Sequence, residues 1–163
     1  MTSESDKALF RSAVENIAPM DKDRASHQSS SAYKQDIFKA YSYITDAELS
    51  GSDVVAHAQS GVSTKIIKKM KQGNIGFTPV LDLHGQTVVE ACESLSQFMY
   101  YHQNEQFIHI IHGKGYHSEH GLSILKTQVV SYLKQHPSVL AFNSCPDKDG
   151  GTGAVFVLMR NHV

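Results

Sequence analysis

The sequence predicts an α/β domain: a two-layer sandwich in the order β-α-β-α-β-β, with a four-stranded mixed sheet and two helices, behind a partly helical amino-terminal extension. Three observations carry this prediction. Two short apolar runs, Val80-Leu81-Asp82-Leu83 and Phe107–Ile111, each stop at a His-Gly pair, His84-Gly85 and His112-Gly113, so each reads as a buried strand ending in a tight polar turn. Between them Val88, Ala91, Cys92, Leu95 and Met99 trace one apolar helical stripe. A strand, a helix and a second strand of this length form a βαβ unit, whose right-handed crossover makes the strands parallel. Both His-Gly turns then lie at carboxyl ends of strands, where open α/β sheets bind ligands.

In chain order, Phe10, Ala13, Val14 and Ile17 recur at i, i+3, i+4, i+7 behind Ser3 and Ser5, a short amphipathic helix over residues 6–17. At about a dozen residues it is marginal alone in water and must fold back on the domain or dock on a partner. Residues 19–35, with Pro19 and Ser29-Ser30-Ser31, read as a linker, and Ile37, Phe38, Tyr41 and Ile44 suggest one more short helix. Residues 51–61 carry little signal. Lys65, Lys68, Lys69 and Lys71 lie on a basic helical stretch stopped by Gly73 at the C′ position. They form the one concentrated positive patch of the chain, although lysines near a helix C-terminus also simply complement its dipole.

The extension is read as residues 1–77 and the sheet domain as residues 78–163. After Pro79 comes the first strand, then a helix opened by a capping box of Thr87 and Glu90. The second strand follows, then a loop at 115–121, and a helix marked by Leu122, Leu125, Val129, Tyr132 and Leu133 and halted by Pro137. Val139–Ser144 is the third strand, and 154–160 a fourth, so uniformly apolar that it belongs inside the sheet. If the third strand is parallel to the first two, its outgoing loop, 145–153, opens beside both His-Gly turns. Three loops then rim one crevice.

Asp82 and His84, two apart on a strand end, leave the same face, so the carboxylate can hold the imidazole in one tautomer. Lys114, between Gly113 and Gly115, adds a cation on a loop whose bare backbone can approach an anion. Each residue also has a structural reading: His84 bonding a loop carbonyl, Asp82 as an N-cap (a position Thr87 fills better), Lys114 as a solvated lysine. His109 alternates away from Ile108 and Ile110 and reads as structural. Together the groups point to phosphate-ester chemistry, which the family resemblance given below narrows to phosphodiester cleavage. His84, oriented by Asp82, takes a proton from the nucleophile, His112 protonates the leaving oxygen or binds the phosphate, and Lys114 with backbone N–H groups stabilises phosphoryl charge. The expected nucleic-acid contacts are Gly85, Gly113, Lys114, Gly115, Lys65, Lys68, Lys69 and Arg160. With RNA the adjacent 2′-hydroxyl serves as nucleophile and no cofactor is implied, whereas DNA needs attacking water and usually a divalent cation. His112, His117 and His120 with Asp82 offer a metal alternative, on a loop that seldom presets such geometry.

Leu81-Asp82-Leu83-His84-Gly85, then His112-Gly113-Lys114-Gly115, then Gly150-Gly151-Thr152-Gly153-Ala154 resembles the Smr (small MutS-related) domain over about residues 78–160. Either four-residue motif alone is weak evidence; all three in order on the expected elements are strong. The resemblance implies a small α/β sandwich and, in many relatives, endonuclease activity on DNA or RNA. The long polar extension looks like that of stand-alone bacterial Smr proteins. Relatives of that kind, the resemblance implies, cut RNA at stalled or collided ribosomes, while others nick DNA. Tyr116 and His117 depart from the shorter turn common in such relatives.

Composition sets the remaining expectations. At 163 residues, 40% apolar and 19% charged, the chain holds one domain plus an extension. No run approaches the roughly eighteen apolar residues of a membrane span, and no signal-peptide core opens the chain. With only Cys92 and Cys145, a reducing cytoplasmic setting is expected. The formal charge is −1, and residues 80–163 hold five Lys/Arg against seven acids, so any grip on a phosphate backbone must be local and salt-sensitive. The expected partners are DNA or RNA, with the amino-terminal helix as a candidate ribosome contact. The competing class is a non-catalytic RNA- or ribosome-binding module.

Overall fold

The computed structural model describes residues 37–39, 48–115 and 121–160. The helix expected over 6–17, the linker over 19–35 and most of the short helix around 37–44 lie outside the described residues. Among the described residues the fold is one mixed sheet of five strands: β1 (Ala56–Ala58), β2 (Val80–Asp82), β3 (Phe107–Ile111), β4 (Val139–Ser144) and β5 (Ala154–Met159). Their spatial order is β1-β4-β5-β3-β2. Helices α1 (Thr64–Gln72), α2 (Val88–Tyr101) and α3 (Ile124–Gln135) flank it.

β2 and β3 are parallel, with Val80 opposite His109 and Asp82 opposite Ile111. β5 is antiparallel to both β3 and β4, so β4 runs in the direction of β2 and β3. The loop after β4 therefore leaves on the same rim as both His-Gly turns, which meets the condition the sequence left open. β5 is buried along its whole length because both faces of the sheet are covered. On one face α2 and α3 bring Leu95, Met99, Val129 and Leu133 against Ile108, Ile110, Val155 and Val157. On the other α1 brings Met70 against Ala141, Cys145, Ala154, Phe156 and Leu158.

The α/β class matches the sequence prediction; the counts differ. Five strands replace four and three helices replace two, because β1 and α1, both upstream of residue 78, join the sheet unit. Ala56-His57-Ala58 carries no β-branched run, so its strand character comes from its partner: it pairs antiparallel with β4, and the His57 ring stacks on Phe142 at 5.4 Å. The local signals read as expected. Thr87 Oγ1 accepts the Glu90 amide while Glu90 Oε2 accepts the Thr87 amide at 2.8 Å, closing the capping box at the start of α2. Gly73 ends α1 in the left-handed conformation at φ 70, and the Asn74 amide reaches back to Lys69 O at 2.9 Å.

Two buried polar groups tie the periphery to this core. The Lys126 side chain is fully buried, and its Nζ donates to the carbonyls of Ser50 (3.0 Å), Gly51 (3.3 Å) and Asp53. An ammonium has three N–H donors, and here each has an acceptor. His136, at the end of α3, packs its ring against Phe38 and Tyr132, with centroids 4.9 and 5.6 Å away, and accepts the Ser138 amide on Nδ1. Burial pushes its pKa down to about 4, so it is neutral in the core.

Two stability predictions follow from these groups. Lys126→Met takes the ammonium from three carbonyls, of which Ser50 O keeps the Asp53 amide at 3.2 Å, and is expected to cost about 3 kcal/mol, read from urea unfolding. For His136 the unfolded chain takes up a proton near the ordinary value of 6.5 and the folded chain only near 4. Its contribution is thus complete above pH 6.5 and falls as pH drops through that window, by about 2 kcal/mol at pH 5. The urea midpoint should fall between pH 7 and 5, with the enclosed His112 adding to the slope, so His136→Gln should reduce the slope by about half without removing it.

Candidate functional site

β2 ends by presenting Asp82 on the α1 side of the sheet, because its register partner Ile111 packs in the Met70 cluster and paired residues share a face. The chain then turns at His84-Gly85, with Gly85 at φ 75. Within this turn Asp82 Oδ1 accepts both the His84 amide at 3.0 Å and the His84 ring at Nδ1, 2.6 Å away. A carboxylate only accepts, so Nδ1 carries a proton, and in the neutral ring Nε2 is the nitrogen with the lone pair. The side chains are 76% and 45% exposed, so that lone pair faces solvent. Partial burial works against ionising Asp82, but the His84 amide and ring outweigh it and hold the carboxyl below its ordinary value. The pair presents an oriented imidazole at an open rim.

His112 lies elsewhere. It continues the alternation of Ile108 and Ile110 and enters the opposite face, under α2 and α3, where it is 2% exposed. Its Nδ1–H donates to Gly113 O at 2.8 Å, and Nε2 is buried without a hydrogen-bond partner. Burial, only partly offset by the Gly113 carbonyl and reinforced by the nearby Lys126 ammonium, lowers its pKa to about 4. A sealed, neutral imidazole has no proton to give at pH 7, which argues against the proton-donor role read from the sequence. His109, on the α1 face, donates through Nε2 to Asp149 O at 3.0 Å and packs on Phe156, a structural placement.

Three loops do meet at the rim. The amides of His112 and Gly113 both donate to Gly153 O, at 3.0 and 2.9 Å, so they are not available to a phosphate. Gly113, at φ 79, lies against His84: a Cβ built on it would stand 4.0 Å from His84 Cβ. Lys114 runs along Gly153 and lines a depression of about 330 Å³ together with Ser50, Ser52, Gly121 and Thr152. Gly51 has no room for a side chain, since a Cβ there would sit 1.9 Å from Lys114 O. Ser50 and Ser52 were not anticipated, and only the small-residue punctuation of their segment hints at a close approach. Lys65, Lys68 and Lys69 are exposed on α1, which packs on the sheet face that carries Asp82. Arg160 is at the opposite rim: it follows β5, which runs away from the site for six residues, about 20 Å, and its amide bonds Ser138 O. Of the metal alternative, His117 and His120 lie outside the described residues, while Asp82 and His112 leave opposite faces. Among the described residues no three His, Cys, Asp or Glu side chains cluster as ligands, and no helix is long and apolar enough to cross a membrane.

The chain is similar to known proteins both in sequence and in fold. The Smr domain profile matches residues 81–160, which contain all three motifs. The chain is 32% identical over 170 residues to the ribosome rescue factor SmrB of Vibrio vulnificus, covering 96% of this chain and 93% of that protein. To SmrB of Buchnera aphidicola it is 30% identical over 133 residues, covering 80% and 72%. Its fold is similar to that of YdaL, a stand-alone small MutS-related protein from Escherichia coli, with a TM-score of 0.60 at 24% identity, covering 69% of this chain and 88% of that one. With its motifs placed on one rim of a matching fold and relatives that align over nearly its whole length, the chain belongs to the Smr-domain family.

Proposed function

We propose that this protein is a metal-independent RNA endonuclease that acts at ribosomes, in the cytoplasm. The observation that carries the reading is the exposed Asp82–His84 contact of 2.6 Å, which fixes the imidazole with its basic nitrogen toward solvent. Likeness to proteins named ribosome rescue factor supports the setting. The part of the amino-terminal extension ahead of the sheet unit delivers the domain, and the rim does the cutting.

In this reading His84 Nε2 takes the proton of a 2′-hydroxyl, whose oxygen bonds to the adjacent phosphorus as the bond to the 5′-oxygen breaks. The leaving oxygen takes its proton from solvent, since His112 is neutral and enclosed. The products are a 2′,3′-cyclic phosphate and a 5′-hydroxyl. Asp82 holds the ring and balances the imidazolium as it forms. Lys114 and the α1 lysines Lys65, Lys68 and Lys69 contribute positive charge toward the phosphates. His112 acts as a positioning residue that shapes the Gly113 turn. A non-catalytic ribosome- or RNA-binding role is the second reading, and the enclosure of His112 favours it, because the rim then offers one proton-transfer group where two were expected.

Steady-state cleavage of an RNA oligonucleotide separates the two. Asp82→Ala and His84→Ala should each lower kcat by about 10²- to 10⁴-fold with binding within twofold; both side chains are exposed, so stability should hold. A pure binder has no turnover to lose. A single 2′-deoxy substitution at the cut site should abolish cleavage, and excess EDTA should leave it intact. Cleavage that survives the deoxy substitution and dies in EDTA would replace the 2′-hydroxyl route with metal-assisted attack by water.

A further inference from the structure

Between α1 and β2 the chain carries a side chain that neither the fold nor the proposed chemistry uses. Phe77 is fully exposed, and Val80, three residues on, is 54% exposed. Scattered exposed apolar residues are ordinary; the placement of these two is not. Ile75 packs into the Met70 cluster, and the Pro79 carbonyl accepts the His109 amide at 2.9 Å. The backbone is thus pinned two residues either side of Phe77, so the ring is held out of the core instead of hanging on a loose loop. Val80 shares its sheet face with Asp82, two residues away on an edge strand whose outer side has no strand partner among the described residues. Upstream, α1 exposes Lys65, Lys68, Lys69 and Lys71. Along the chain the order is cations, one bare aromatic ring, one half-exposed valine, then the oriented base.

We propose that Phe77 stacks on a base of single-stranded RNA and, with Val80, floors a track leading from the α1 lysines to Asp82 and His84. The proposal rests on the endonuclease reading and adds where the substrate lies. One ring and one valine, beside exposed Asn74 and Gly76, offer the area of a base and too little apolar surface for a stable protein interface. Lysines six to twelve residues upstream suit a polyanion, and an aromatic platform combined with a basic face is how single strands are held without sequence preference. Five residues of extended chain, at most about 18 Å, separate Phe77 from Asp82, so the stacked base lies a short way along the strand from the cut.

The test uses the full chain, which contains no tryptophan. Phe77→Ala should weaken binding of a single-stranded RNA oligonucleotide about 5- to 150-fold. It should leave binding of inorganic polyphosphate, which has charge and no bases, unchanged. Phe77→Trp should keep the RNA affinity and report the stack as quenching of the sole tryptophan. The track is overturned if Phe77→Ala binds RNA within twofold of the wild type, or if tryptophan emission is unmoved at saturation. It is equally overturned if Phe77→Ala loses ribosome binding while free-RNA affinity stays intact, which would make the ring a protein contact. Wild-type protein that cuts RNA with no dependence on Phe77 sinks the track alone, whereas wild-type protein that neither binds nor cuts RNA sinks the endonuclease reading with it.

Discussion

The Gly153 carbonyl accepts two amides, those of His112 and Gly113, and the rim of this protein depends on that junction. It joins the carboxyl end of β3 to the start of β5, continuing their antiparallel ladder by one more step beyond Ile111 and Ala154. The first His-Gly turn is then held against Gly113, and Lys114 is laid along Gly153. Three loops from separate parts of the chain thereby share one edge. The glycine at 113 is accounted for by its left-handed φ of 79, and the one at 153 by the close approach of Lys114, whose Cγ would stand 3.0 Å from a Cβ built there, more directly than by any role in chemistry.

The same strand geometry that gathers the loops divides the two histidines. Period-two alternation sends Asp82 to the α1 face and His112 to the α2–α3 face, although both belong to neighbouring strands that end at the same height. One imidazole is solvated and fixed by a carboxylate; the other is enclosed, neutral and bonded to its own turn. In the proposed reading, an acid and base working side by side give way to a single oriented base with an interior support. Electrostatic help then comes from Lys114 and the α1 lysines, which belong to different parts of the chain.

Much of this was legible in the sequence, for identifiable reasons. Short apolar runs stopped by His-Gly, the Thr87–Glu90 box, Gly73, Pro137 and the all-apolar fourth strand are local signals, and each element they mark is present. The parity of the site was also legible in retrospect: Ile108 and Ile110 are core residues, so His112 had to follow them inward, and Leu81 and Leu83 send Asp82 outward. What could not be read was non-local. A three-residue strand of Ala-His-Ala exists only because β4 offers its edge, and Lys126 counts as surface charge until the carbonyls of Ser50, Gly51 and Asp53 are brought to it from 75 residues away. Arg160 joined the expected contacts by charge alone, and strand direction carries it to the far rim.

In the proposed reading Asp82 holds the neutral His84 ring with its proton on Nδ1, which leaves Nε2 free to take another. Nitrogen-15 NMR of the histidine rings tests this most directly. The neutral His84 ring should show a protonated Nδ1 and a non-protonated Nε2, and Asp82→Ala should erase this preference. A proton found on Nε2 in the wild-type protein, or a tautomer indifferent to Asp82, would contradict it.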